Sequence, residues 1–126
     1  MSNIRTPSLA AREGREDPVR TRTGGKDMMS KKMADAINEQ INAEFYSAFL
    51  YLSMATKLED MTFSGFANWM KIQDQEERAH AMIFYNYVVE RGKRVRMKAI
   101  AEPPGDWDSP LDVYKAVLEH EQHVTS

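Results

Sequence analysis

Cysteine is absent from all 126 residues, which excludes disulfides, iron–sulfur clusters and thiolate metal sites. Any metal in this chain must therefore be held by oxygen and imidazole. Long apolar runs are missing too. No stretch of 18 or more apolar residues and no hydrophobic signal segment is present, so a cytoplasmic protein without membrane association is expected. An excess of either charge is also lacking: with 29% charged residues and a net charge of −2, the chain gives no electrostatic case for nucleic acid. A composition that is 42% hydrophobic over this length suits a single core.

Composition divides the chain near residue 28. Residues 1–27 carry five arginines, one lysine and four acids, with Pro7, Pro18 and the Gly24-Gly25 pair, and little that is apolar. This segment is expected to be a disordered N-terminal extension. Glu13, Glu16 and Asp17 argue against an organelle transit peptide, because such peptides avoid acids.

From Ser30 the periodicity is helical, and the fold class it predicts is all-α. The first predicted stripe is Met33, Ile37, Ile41, Ala48, Tyr51, Ala55 and Leu58, with Glu44 in its middle. A second helix is predicted over 63–91, stopped by Gly92, with the stripe Phe66, Met70, Gln73, Glu77, His80, Phe84 and Tyr87. Pro103-Pro104-Gly105 forbids a continuous helix, so residues 93–109 read as a long connection. A third helix then begins with Ser109 as cap, Pro110 in the first turn and Asp112 three residues after the cap. Its predicted stripe is Tyr114, Val117, Glu121 and Val124.

Each stripe is apolar at its ends and polar in its middle. Residues three apart share a helix face, so Glu77 and His80 can ligate one ion, with Glu44 and Glu121 reaching the same level from their own helices. A buried carboxylate must be paired, protonated or matched by a cation. Lys57, Lys71, Arg78 and Lys115 all fall off the inward stripes, which favours a metal. Oxygen donors with one imidazole suit redox-active iron or manganese. Each residue also has a plainer reading. Glu44 fits a boundary position, Glu76 a solvated or intersubunit charge, and Tyr51 reads equally as core packing or as a redox-active phenol near the metal. His120 and His123 read as structural, while Phe45, Phe49, Trp69 and Tyr85 read as core or subunit contacts.

The stretches INEQINAEFYSAFLYLSMA, GFANWMKIQDQEERAHAMIFYNYVVERG, EPPGDWDSPL and LEHEQHVT resemble a bacterial or archaeal non-haem ferritin, over essentially all of residues 28–126. The resemblance implies a four-helix bundle with one long crossover after the second helix. It implies iron storage in a homo-oligomeric shell of twenty-four subunits, with Fe(II) oxidised by O2 or H2O2 at a di-iron ferroxidase centre. Glu44, Glu77 and His80 match the first iron's ligands. Glu77 also matches the bridging carboxylate, Glu121 a ligand of the second iron, Tyr51 the nearby tyrosine and Glu76 a ligand of an accessory third site. Zinc or manganese are the expected competitors for iron.

The chain also departs from that pattern. A ferritin continues through a full third and a fourth helix, so residues 28–126 are expected to be a partial ferritin-like domain, truncated about four turns into the third helix, with the second iron site incomplete. Asp74 stands where the family is usually small, Arg78 where it is usually apolar, and Lys93 and Arg96 where glycine and acid are usual. A non-catalytic fragment serving only in metal binding or assembly is the competing expectation.

Overall fold

The structure, a computed structural model, describes residues 29–125, so the predicted extension over 1–27 lies outside the described residues. Three helices form the fold: α1 (Lys31–Asp60), α2 (Ser64–Glu90) and α3 (Pro110–Thr125). No strand occurs among the described residues. These are the first two long helices, the crossover and the third-helix segment anticipated from the sequence.

Local chemistry sets each helix boundary. The Ser30 hydroxyl accepts a hydrogen bond from the Met33 amide at 3.1 Å, satisfying one of the first-turn donors of α1. Ser109 does the same for α3, accepting from the Asp112 amide at 3.2 Å. Both long helices stop in a Schellman motif. At α1 the Thr62 amide bonds Glu59 O and the Phe63 amide bonds Leu58 O. At α2 the Gly92 amide bonds Val89 O and the Lys93 amide bonds Val88 O. The residue that turns left-handed is Gly92 (φ 76°) in the second case but Thr62 (φ 67°) in the first, a β-branched residue in a region it rarely adopts.

A three-residue turn makes α2 run antiparallel to α1, and an apolar seam joins them. Leu50, Tyr51, Met54 and Leu58 of α1 pack on Ala67 and Met70 of α2, with Val113 and Val117 of α3 closing the cluster. A second cluster, Ile41, Ala81 and Val88, sits nearer the start of α1. Each large aliphatic side chain so buried contributes roughly 1.5–3 kcal/mol. The seam corrects the predicted stripes. On α2 the inward residues are Ala67, Met70, Asp74, Ala81 and Val88, whereas Tyr87 is exposed and His80 lies at the flank. On α3 Val113 is buried, and Tyr114 and Val124 face outward. Met33 on α1 is exposed as well. Small alanines mark the helix contact because they permit close approach, while the large aromatics cover it from the side.

The crossover runs back along α1. Asn38 donates to Arg94 O at 3.4 Å and accepts from the Arg96 amide at 2.9 Å, Asn42 donates to Ala99 O at 3.2 Å, Ser53 donates to Pro104 O at 2.6 Å, and Lys57 pairs with Asp106 at 3.6 Å. From Asn38 to Lys57 a helix rises about 28 Å. The segment from Arg94 to Asp106 can span that only in a largely extended form, about 40 Å at full stretch. It therefore delivers Ser109 to the far end of α1, and α3 returns antiparallel with His120 beside Ser47.

Asn38 is the main clamp, since it is buried and bonds the crossover through both side-chain atoms. Asn38→Ala should cost about 1–3 kcal/mol, because the Arg96 amide loses its acceptor. Urea denaturation measures it, and a loss below about 0.5 kcal/mol would show that the clamp is dispensable.

Candidate metal centre

Between the two apolar clusters lies one polar level. Glu44 occupies it on α1, three residues beyond Ile41, and Glu77 occupies it on α2, between Met70 and Ala81. One ligand atom each from Glu44, Glu77 and His80 lie within 4.8 Å of one another. His80 Nδ1 stands 3.5 Å from Glu77 Oε1 and 3.6 Å from Glu44 Oε1. The two carboxylate side chains are only 13% and 16% exposed, whereas the imidazole is 55% exposed and forms the outer lip.

Gln40, one turn before Glu44, donates to Glu44 Oε2 at 2.8 Å and leaves Oε1 turned toward the imidazole. Among the described residues no lysine or arginine pairs with either carboxylate. Burial, then the hydrogen bond with Glu44, then the charges of Glu44, Glu121 and Glu76 push the Glu77 carboxyl up to about 8. Two carboxylates with a shared proton and no cation form a donor set suited to a divalent metal.

Tyr51 and Glu121 flank this level. The Tyr51 hydroxyl donates to Glu121 Oε2, so α3 is tied to α1 beside the carboxylates. Burial, followed by that bond and by the charges of Glu121, Glu77 and Glu44, drives the phenol well above its usual range. Glu121 itself is exposed and does not join the three-residue group, although its charge is felt at Glu77. Glu76 is exposed, next to Glu77 on the outer side of α2.

Two contributors, Gln40 and Ser47, were not singled out from the sequence, and His120, Asp74 and Arg78 do more than was expected of them. Gln40 fixes Glu44 by the same spacing that joins Asp74 to Arg78, and an i, i+4 scan from Glu44 would have found it. Ser47 is buried and lies 2.8 Å from His120 Nε2. The His120 ring, read from sequence as structural, packs edge-on against Tyr51 at 5.8 Å and beside Tyr46 at 6.1 Å, so it holds the phenol in place. Burial pushes the His120 imidazole below its usual range, against the opposing charge of Glu121. Asp74, expected only as a departure from pattern, is 8% exposed and bonded by Arg78 Nε at 2.8 Å. Those two unusual residues therefore compensate one another, and Arg78 also lies 5.7 Å over the Phe49 ring.

A family model described as ferritin-like domain matches residues 34–126. The chain belongs to the ferritin-like domain family. It is 48% identical over 98 residues to the bacterial non-heme ferritin of Bacteroides fragilis, covering 78% of this chain and 62% of that protein. The bacterial non-heme ferritin of Staphylococcus aureus is 38% identical over 98 residues, with 78% of this chain and 59% of the relative covered. Among solved structures, an engineered closed form of the Archaeoglobus fulgidus ferritin superposes with a TM-score of 0.76 at 54% identity, covering 77% of this chain and 59% of that one. A humanized archaeal ferritin gives 0.76 at 49% identity, with 77% and 59% covered. The chain thus spans about six-tenths of the length of the ferritins it matches.

The raised Glu77 pKa carries a sign. Between the usual carboxylate value of 4.5 and about 8, the folded metal-free protein holds a proton that the unfolded chain has released, so stability falls as pH rises through that window. Glu77→Gln removes this dependence and should stabilise the metal-free fold at pH 8 by about 1–3 kcal/mol. Thermal melts in chelator across pH 5–9 test it. A parent and variant with parallel pH profiles would show that Glu77 is not desolvated.

Proposed function

We propose that the chain binds ferrous iron at Glu44, Glu77 and His80 and oxidises it to ferric iron for storage. The observation that supports this most directly is the largely buried Glu44–Glu77 pair, which has an imidazole beside it and no lysine or arginine paired with it among the described residues. Membership of the ferritin-like family makes iron the metal of choice over zinc or manganese, which the same donors accept as competitors.

In this reading iron is the substrate. Binding at Glu77 displaces the proton shared with Glu44, so affinity rises with pH up to about 8. Glu77 bridges to a second ion held in part by Glu121, and Glu76 serves an accessory position at the exposed edge. Two ferrous ions side by side supply one electron each to O2 or H2O2. Two protons are consumed in forming peroxide from O2, or water from H2O2. Tyr51, whose hydroxyl donates to Glu121 Oε2, holds that carboxylate beside the second position. Proximity and charge neutralisation are the protein's contribution.

A shell of identical subunits would receive the ferric product. Exposed Phe49 and Leu52 on α1, Trp69, Ile72 and Ile83 on α2, and Tyr114 and Leu118 on α3 support self-association. Among the described residues no helix is long and apolar enough to cross a membrane.

Anaerobic Fe(II) titration, followed by admission of air and measurement of ferric absorbance, tests the assignment. Glu77→Ala should weaken iron binding by about 100-fold or more, since even outer-shell changes cost about 10–100-fold. Glu76→Ala should leave the first equivalent intact, and Tyr51→Phe should slow oxidation with binding unchanged. Equal stoichiometry and rates in the parent, Glu76→Ala and Glu77→Ala would refute the site. Tight binding without oxidation in the parent would instead favour a non-catalytic, metal-binding subunit.

A further inference from the structure

The start of α1 and the first residues of the crossover enclose a groove of about 440 Å³ that shares no residue with the candidate metal centre. Its volume lies within the roughly 300–1,000 Å³ common for small-molecule sites. Lys31 from the first turn of α1 lines it, together with Lys93, Arg94, Arg96 and Lys98 from the crossover. Two acids on α1 face the same space, and both are already engaged. Asp35 pairs with Lys31 at 2.8 Å, and Glu39 pairs with Lys98. Lys93, Arg94 and Arg96 have no carboxylate partner among the described residues.

These three cations are held on a fixed frame. Asn38, buried against α1, bonds Arg94 O and the Arg96 amide, and Asn42 bonds Ala99 O. Val95 packs into the Ile41 cluster, so the two arginines that flank it both present to the groove. The first turn of α1 carries no acid, which leaves the positive end of the helix dipole uncompensated on the same side. Three cations without carboxylate partners among the described residues, set along one backbone fastened to a buried asparagine, give this groove a positive field that attracts anions.

We propose that this groove binds a small oligophosphate anion of the pyrophosphate or triphosphate class. Two guanidinium groups match phosphate oxygens in a bidentate manner, and Lys93 supplies a third, single-point contact. Three separate cations favour a ligand whose charges are spaced along a short chain over a single tetrahedral anion. A nucleic acid is disfavoured, because Asp35 and Glu39 interrupt the basic surface within the groove and the whole chain is net negative.

Calorimetric titration of sodium tripolyphosphate into the full chain, stripped of metal with chelator, tests the proposal. Saturable binding at one site per chain is expected, weaker by roughly 10-fold or more when NaCl is raised from about 50 to 200 mM. Arg94→Gln/Arg96→Gln should weaken it at least 10-fold, whereas Glu77→Gln should retain the parent's affinity. Both arginines are exposed, and circular dichroism checks the fold. Should the double variant fail to fold, Lys93→Gln/Arg96→Gln carries the same expectation. No saturable heat, an unchanged affinity in the arginine variant, or loss of binding in Glu77→Gln would overturn the proposal. A single-stranded oligonucleotide that binds tighter than tripolyphosphate and spans several chains would overturn the ligand class. Failure here leaves the iron reading untouched, since iron titration reports on different residues.

Discussion

Two carboxylates brought out of water without a lysine or arginine between them are the constraint around which the rest of this structure is arranged. Burial and mutual repulsion make Glu77 hold its proton to about pH 8, and that protonated state is an alternative to a bound cation. The apolar clusters above and below the pair are what keep water away, and so what make the pair costly. A polar level between two greasy ones is thus unstable toward anything that brings positive charge. Selectivity for metal over proton follows from pH and ligand geometry rather than from a dedicated counter-ion.

Three segments must converge to build that level, and each is guided by interactions remote from it. The Thr62 turn sets the α1–α2 register that puts Glu77 opposite Glu44. The crossover, fastened through Asn38, Asn42, Ser53 and Lys57, carries the chain along α1 so that α3 can return beside it. Only then do His120 and Glu121 reach Tyr51. A loop contact far from the carboxylates therefore governs the orientation of the phenol proposed to act with them. Asp74 and Arg78 show the opposite solution to the same physical problem, a buried acid matched permanently by its own cation.

Much of the fold could be read directly in the sequence because its punctuation is chemically strong. Gly92, Ser109 and Pro110 lie where a stop and a cap were expected, the helical pattern begins at Ser30, and Pro103-Pro104 marks the crossover. Thr62 was not legible, since nothing in a threonine announces a left-handed backbone. The stripes on α2 and α3 were right at Met70, Glu77 and Val117 and one position off elsewhere, because Phe66, Tyr87 and Tyr114 weigh more in an apolar pattern than Ala67, Val88 or Val113 do. That error moved His80 from the centre to the rim without separating it from Glu77, as three residues still share a face. The clamps made by Asn38 and Asn42 were invisible for another reason: a polar residue on a helix looks solvated until its long-range partner is known.

The most direct test of the account is where a ferrous ion settles. Crystals grown without metal, soaked anaerobically in Fe(II) and measured on both sides of the iron absorption edge, should show an anomalous peak bonded to Glu44, Glu77 and His80 Nδ1. The proton shared by the carboxylates would then be displaced and the imidazole drawn inward from the rim. Iron found only at exposed acids, with Glu44 and Glu77 still hydrogen-bonded to each other, would contradict it.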